Sequence, residues 1–468
     1  MMVVASFVFF LAVFVVIGGL SALQSRGSNA DYLLAGSSVK PWLVSLSAVA
    51  TNNSGYMFIG LIGYTYTSGL QSAWLMIGFI LGDFLISFLT HKRLRKATDR
   101  TGALSFGGIL STWNGTDFRL LRIVSGLATL AFLGTYAAAQ LNAGSKALHV
   151  LLGWNYETGA IIGAVIVVIY CLAGGIRASI WTDAAQSFVM LASMLLMFVL
   201  AVNQVGGWEI FQAHLYAVSE TYMNWFPDNL AYGPFLFVMG WMFAGVGVVG
   251  QPHVMVRFMA MEDPAHMTRI RWYYYSWYTI FAALCIGVGL ATRLLLPLDT
   301  GFDTELALPT LAQNILPPVL VGLTLAGLFA ATMSTADSQI LSCTAAISQD
   351  FTHGRDIPYW ATKLSTLAVT LLALTIALFG SNSVFALVLI AWSALSSIFA
   401  PLLIVYALGQ KPNATLALTM MIAGLSTVLI WRHYGLSGDI YEVLPGILSG
   451  LIVFALGKAL GFTLKDVT

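Results

Sequence analysis

Apolar runs of about 20 residues, separated by short polar or basic breaks, recur from one end of this chain to the other. Wound as an α-helix at about 1.5 Å per residue, such a run matches the roughly 30 Å hydrocarbon core of a bilayer. Reading runs against breakers predicts about thirteen spanning helices, near 2–22, 40–65, 67–90, 119–148, 156–175, 182–204, 232–259, 272–296, 314–348, 360–379, 383–407, 414–431 and 442–462. The ninth is long for one crossing and is expected to tilt or to extend beyond the membrane. The first run is too long, and too lightly charged at its start, for a cleaved signal peptide, so it is read as the first span.

Composition sharpens the picture. Hydrophobic residues make up 58% of the chain and charged residues 9%, with a mean hydropathy of +0.84. A soluble domain would carry roughly a quarter charged residues. An all-α polytopic membrane protein is therefore expected, its solvent and first partner the lipid bilayer.

Lys and Arg set the orientation. With the N-terminus outside and the C-terminus cytoplasmic, inside loops and helix ends hold all but Lys146, Arg293 and Arg432 of the 21 basic residues. The inside set includes Lys92-Arg93-Leu94-Arg95-Lys96, Arg177, Arg257 and Lys465. The expected location is a bacterial inner (plasma) membrane. The larger outside loops are 205–231, which has an amphipathic stretch, and 297–313, which has Asp299, Asp303 and Glu305. Both are read as lids or solvated connectors, with gating of solute access as the sharper alternative.

No loop is long enough for a catalytic domain, and neither a nucleophile–base constellation nor a phosphate-cradling loop is visible, so neither an enzyme nor an ATP-driven pump is expected. Cys171, Cys285 and Cys343 fall in apolar segments, which argues against a disulfide framework. The net charge of +1, with basic residues in loops, gives no sign of a nucleic-acid partner, and no obligate protein partner is evident.

Two spans carry marks of interruption. In the second, Thr51-Asn52-Asn53-Ser54-Gly55 sits mid-membrane; in the seventh, Gly240, Gly245, Gly247 and Gly250 lead to Gln251-Pro252-His253. Proline removes a helix donor and glycine lowers the cost of unwinding, yet lipid offers the freed backbone groups no partner. Broken helices at matching positions of two halves are the pointer to a secondary transporter with inverted repeats. The implied organisation is a first helix and loop (1–39), a five-helix repeat (40–204), an inverted second repeat (232–407), and two peripheral helices with a short tail (408–468).

The chemistry-bearing residues inside spans are few. Gly327 to Gln339 holds Ser334, Thr335, Asp337 and Ser338 within about one and a half turns, and a carboxylate with hydroxyls is costly in hydrocarbon unless satisfied. A hard cation is one partner that would satisfy them. Asp183 is read either as a cation ligand or as a helix cap or partner of Arg177; Asp337 either as a ligand or as a helix-end carboxylate reaching cytoplasmic water. Asp83 is expected to pair with the nearby basic loop. Gln140 and Asn142 either join helices or touch solute.

Several motifs together resemble the solute:sodium symporter family, and within it the bacterial sodium/proline symporters. They are Asp31-Tyr32-Leu33-Leu34-Ala35-Gly36, Ser54-Gly55-Tyr56 with Gly60, Ser179-Ile180-Trp181-Thr182-Asp183 with Gln186, and Gly250-Gln251-Pro252-His253 with Arg257-Phe258-Met259-Ala260. Met333-Ser334-Thr335, Ala391-Trp392 and Tyr441-Glu442-Val443-Leu444-Pro445-Gly446 extend the likeness over nearly the whole length.

The resemblance implies thirteen helices with a five-plus-five inverted-repeat (LeuT-like) core, and Na+ as the coupling ion. It assigns one Na+ to the backbone carbonyls of Ala50, Asn53 and Ala331 and the hydroxyls of Ser334 and Thr335. A second Na+ site, present in some members, would fall on Asp183, Ser334, Asp337 and Ser338. The solute pocket would be lined by Ser54, Tyr56, Gly60, Gln140, Trp241, Val248, Pro252 and Trp392.

Two departures stand out. Asn52 takes the place of a carboxylate in the proline-transporting relatives, and Asp337 the place of a serine, so the negative charge is read as relocated. Ala244 and Val248 replace aromatics that line the pocket of the proline-transporting relatives. Broken-helix amide ends favour a carboxylate and no nearby Lys or Arg is available for a second one, so a small zwitterion or monocarboxylate is expected, with proline one candidate. The expected function is Na+-coupled import of a small organic solute by alternating access. A solute-sensing membrane protein and a proton-coupled symporter remain the alternatives.

Overall fold

In the structure, a computed structural model, all residues are described except 25, 298–300, 354, 356, 381, 382 and 465–468. Asp299 and Lys465 therefore lie outside the described residues. Helix α1 (Met2–Ala22) precedes a short α2 (Asn29–Leu34), which is capped by the Ser28 hydroxyl accepting from the Asp31 amide. Helix α3 (Pro41–Asn52) starts with proline at its first turn and stops at Asn53, whose φ of −91° and ψ of 71° are non-helical. The chain then passes through a wide turn, Tyr56–Leu61, into α4 (Ile62–Ser68). The second predicted span is thus two helical pieces joined at Asn53–Gly55, where the sequence has its polar run.

Helix α5 (Ala73–Thr101) runs eleven residues past the predicted end, carrying the basic cluster on a helix and not in a loop. After α6 (Phe106–Thr112) and α7 (Arg119–Leu152), α8 extends from Tyr156 to Val205. Those 50 residues would measure about 75 Å if straight, over twice the hydrocarbon thickness. The bend is at Gly175, with φ 56° and ψ −140°. A Cβ there would strike the Tyr32 carbonyl and ring, so only glycine fits. The gap predicted at 176–181 is consequently helical.

The 205–231 connection contains α9 (Trp208–Val218), the amphipathic stretch. Helix α10 (Gly233–Val246) then tightens over Gly247–Gly250, breaks at extended Gln251 (φ −101°, ψ 99°), and resumes as α11 (Pro252–Met259). Proline drives the residue before it out of the helical region and is itself at home in a first helical turn. Helix α12 (Met267–Leu295) leads to the 297–313 connection, which holds the turn Thr304–Leu306 and the start of α13 (Ala307–Ile315).

Helix α14 (Pro318–Ala345), α15 (Tyr359–Phe379), α16 (Val384–Ala407), α17 (Ala414–His433) and α18 (Val443–Ala459) complete the chain. Helix α14 is the central rod: every residue from Thr324 to Ala345 is buried. By contrast α1, α15 and α17 show wide apolar faces outward, as lipid-facing helices should.

Among the described residues, ten helical stretches are long and apolar enough to cross a membrane. The thirteen expected spans reduce to ten by that measure for three reasons. Tyr56–Thr101 and Tyr156–Val205 each run on continuously, and Val443–Ala459 is short. The protein is an integral membrane protein made of helices, because only a helix satisfies its backbone within one segment in lipid.

Candidate functional site

The interruption of α3 and the hydroxyl row of α14 meet. The Ser334 hydroxyl donates to the carbonyl of Ala50 at 3.2 Å and to that of Ala331 at 3.2 Å. The Thr335 hydroxyl donates to Thr51 at 2.9 Å and to Ala331 at 3.0 Å. All of these residues are fully buried. Five neutral oxygens therefore converge where α3 runs out of helical partners for its last carbonyls. Rotation of either hydroxyl presents a lone pair in place of its proton, which suits a hard monovalent cation.

Four of the five expected ligands, Ala50, Ala331, Ser334 and Thr335, are together. The Asn53 amide and side chain both turn back to the Val49 carbonyl, at 2.9 and 2.8 Å. Its carbonyl makes none of the contacts described here, and the Thr51 carbonyl, which sequence reasoning missed, stands against Thr335.

Beside this cage lies a charged cluster with an unexpected member. Arg257, assigned from the sequence to an inside helix end, is fully buried on α11. Its guanidinium donates to Asp183 at 3.2 Å, Ser179 at 2.7 Å, Ser47 at 3.2 Å, the His253 carbonyl at 3.0 Å and the Ser338 hydroxyl, and lies 3.8 Å from Asp337. Asp183 also accepts from Ser47 at 2.6 Å, and Asp337 from Ser179 at 2.9 Å and Ser338 at 2.8 Å.

This corrects three expectations. Arg177 pairs with Asp31 at 2.5 Å, so it is not the partner of Asp183. Asp337 is fully buried, with the helix continuing beyond it, and does not reach cytoplasmic water. Arg257 stands beside the buried carboxylates and not at an inside helix end. The available signal was Arg257 itself, an arginine embedded in Val254-Met255-Val256 and Phe258-Met259 just after the proline break.

The cluster holds two carboxylates and one guanidinium; with both carboxylates ionised it carries one negative charge in excess. Asp183 Oδ1 and Asp337 Oδ2 are buried with no hydrogen-bond partner. Thr51 links cluster to cage: its hydroxyl contacts Asp183 at 3.4 Å and Ser338 at 3.2 Å, while its carbonyl serves Thr335.

A small cavity of about 40 Å³ lies on the other side of the broken segment, among Asn52, Ser54, Tyr56, Tyr136, Trp241 and Trp392 and several further apolar residues. Ser54, Tyr56, Trp241 and Trp392 were expected there. Four others were expected but do not line it. Gly60 packs under the rings of Tyr56 and Phe385, and Gln140 accepts from the Gly55 amide at 2.8 Å, bracing the break. Val248 is buried in the Gly247–Gly250 turn, and Pro252 borders a separate hollow with Ser105 and Asp350. Sequence reasoning missed Tyr136, Tyr278 and Tyr441, three aromatics from three different helices or loops.

Asp83 does not pair with the basic loop. It accepts from Tyr274 at 3.0 Å and Tyr275 at 2.9 Å, buried where Gly82 and Gly245 let α5 and α10 touch backbone to backbone.

The sequence profile of the sodium:solute symporter family matches residues 32–424. The high-affinity proline transporter PutP of Bacillus subtilis (strain 168) is 30% identical over 445 residues, covering 93% of each chain. The sodium/proline symporter of Escherichia coli (strain K12) is 30% identical over 461 residues, covering 94% of this chain and 90% of the other. Among solved structures, a Na+-coupled sialic acid symporter in a substrate-bound outward-open state superposes with a TM-score of 0.85 at 20% identity, over 100% of this chain and 99% of that one. Mhp1, a nucleobase-cation-symport-1 family transporter, gives 0.60 at 17% identity, over 94% and 97%. At those identities the two structures establish the fold alone.

Proposed function

The chain belongs to the sodium:solute symporter family and is a Na+-coupled solute symporter, and on that premise we propose how its residues divide the work. It is a transporter and not an enzyme. Na+ is carried in the cage of Ala50, Thr51, Ala331, Ser334 and Thr335, with the Asn53 carbonyl joining once the broken segment tightens. The excess charge of Asp183, Asp337 and Arg257 balances the ion through Thr51, and with Ser334 and Ser338 it forms the place for a second cation.

The solute occupies the cavity beside Ser54, Tyr56, Trp241 and Trp392. It is a small carboxylate-bearing molecule, a proline-like zwitterion or a monocarboxylate, because the walls are mostly apolar and broken-helix amides favour an anion. Thirteen passes with a five-plus-five inverted core, repeats at 40–204 and 232–407, and an outside N-terminus in a bacterial inner membrane are the organisation that goes with this reading.

One observation carries it: consecutive residues of one interrupted helix serve two sites. Ala50 and Thr51 turn their carbonyls to the cage, while Asn52, Ser54 and Tyr56 line the cavity. An ion that orders the first pair pre-orders the second group, so binding of either favours the other by the same free energy. Uptake into proteoliposomes under gradients of Na+, Li+, K+ or protons alone tests the assignment. Na+ should support uptake and K+ should not; full uptake with K+ would sink it.

A further inference from the structure

Beside the cavity, on the lining residue Asn52, is a polar atom whose hydrogen bonding is set through a tyrosine by a carboxylate on α5. Asn52 lines the cavity and is 7% exposed; its Nδ2 donates to the Tyr274 hydroxyl at 2.7 Å. Tyr274 in turn donates to Asp83 Oδ2 at 3.0 Å, and Tyr275 donates to Asp83 Oδ1 at 2.9 Å. An ionised carboxylate accepts only, so with Asp83 ionised between its two phenols Tyr274 gives its single proton to Asp83. The phenol oxygen is then left as an acceptor and takes a hydrogen from the Asn52 amide. That fixes the amide's rotation, and Asn52 Oδ1, buried with no hydrogen-bond partner, is left as the free atom. A buried carbonyl oxygen without a donor is unfavourable, and the protein around it offers none.

From this chain of donors we infer that the solute brings the missing hydrogen: it carries an N–H-bearing ammonium that donates to Asn52 Oδ1. Asp83 and Tyr274 are positioning residues that act through Asn52, and the transported class is narrowed to amino acids with at least one N–H, excluding nitrogen-free monocarboxylates and fully N-methylated betaines. The inference rests on the Na+-symport reading above and selects between the two solute classes it leaves.

Discrimination follows from the same geometry. A solute lacking the N–H leaves Oδ1 unpaired, and sites built around a hydrogen bond reject the analogue that cannot make it. The expected penalty is at least about tenfold in KM.

The test uses purified protein in proteoliposomes with three sets of probes: the common amino acids, the same acids with hydrogen or CH2 in place of the amino group, and their N-trimethyl forms. Na+-driven uptake of at least one amino acid, with its two nitrogen-modified partners about tenfold or more weaker, is the expected result. Na+-driven uptake of a nitrogen-free acid or a betaine as good as any amino acid overturns the inference while leaving Na+ symport standing. Absence of Na+-driven uptake for every probe overturns both.

Two variants add a readout that loss of packing alone does not move. Tyr274→Phe frees the Asn52 amide to rotate, so the KM ratio between deaminated acid and amino acid should collapse toward one. Asp83→Asn supplies an amide that can donate to Tyr274, turning its proton toward Asn52 and lowering the same ratio, whereas Asp83→Glu should keep it. Unchanged ratios in both Tyr274→Phe and Asp83→Asn also overturn the inference.

Discussion

Replacing Arg257 by Met tests the charge arrangement at the centre of the protein. The substitution keeps an unbranched apolar stem but removes the hydrogen bonds that Arg257 donates to Asp183, Ser179, Ser47, Ser338 and the His253 carbonyl. Asp183 keeps Ser47, and Asp337 keeps Ser179 and Ser338, so both remain hydrogen-bonded. What they lose is the only cation in contact with them among the described residues. Two uncompensated carboxylates then face each other's field in a fully buried setting. Breaking a buried ion pair by removing one partner costs about 3–5 kcal/mol.

For a chain of 468 residues the unfolding entropy is roughly 1 kcal/mol per kelvin, so Tm should fall by about 3–5 °C. The double variant Arg257→Met, Asp337→Asn returns the cluster to a single excess negative charge and should recover at least about half of that loss. Intrinsic-fluorescence melting of detergent-purified protein, in K+ and then with Na+ titrated in, measures both. Na+ should raise the Tm of Arg257→Met more than that of wild type, since the ion meets a larger unbalanced charge. An Arg257→Met variant that melts with wild type, or a double variant that melts below the single one, would refute the reasoning.

Three further outcomes are expected. Ser334→Ala and Thr335→Val each remove one cage oxygen, and losing one ion–hydroxyl contact of about 1.5–3 kcal/mol should raise the Na+ concentration for half-maximal uptake about tenfold or more; an unchanged value in both would remove the cage. Lys146 bonds Asp303 at 2.8 Å and Glu305 at 2.7 Å, and Glu305 accepts the Val384 and Phe385 amides at the start of α16, so Lys146→Met should loosen the 297–313 connection and lower Tm by about 2–3 °C, with faster labelling of a cysteine placed at Thr304. Gly175→Ala should abolish accumulation of folded protein, because its φ of 56° and the Tyr32 carbonyl both exclude a Cβ, while Gly134→Ala, with open space around it, should be neutral by size-exclusion profile.

How much of the site could be read along the chain depends on how local each contact is. Ser334, Thr335, Asp337 and Ser338 announce themselves, because polar atoms in a membrane-length apolar run have no bland partner nearby. The break at Thr51–Gly55 and the proline at position 252 are equally visible, since helix interruption is a property of adjacent residues. Arg257 was misplaced for the opposite reason. Basic residues near helix ends are statistically cytoplasmic, and only the packing of α11 against α3 and α14, with the Arg257 bonds to Ser179 and Asp183 of α8, shows this one inside.

The pocket was half legible for the same reason. Ser54 and Tyr56 follow from the break, but Tyr136 and Tyr441 come from segments 80 or more residues away in the chain and enter through helix crossings that no periodicity specifies.

By itself the order of residues determined that this protein lives in lipid, that it is helical, and where its helices are interrupted, because burial of backbone polar groups leaves hydrocarbon no other solution. Only the tertiary structure decided which oxygens share a cage, that Thr51 and not Asn53 faces Thr335, that Arg257 stands between two aspartates, and that Asp83 reaches Asn52 through a tyrosine. Those outcomes depend on distances between helices brought together by glycine contacts and side-chain fit, and such distances are set by the whole packing at once and not by any one segment.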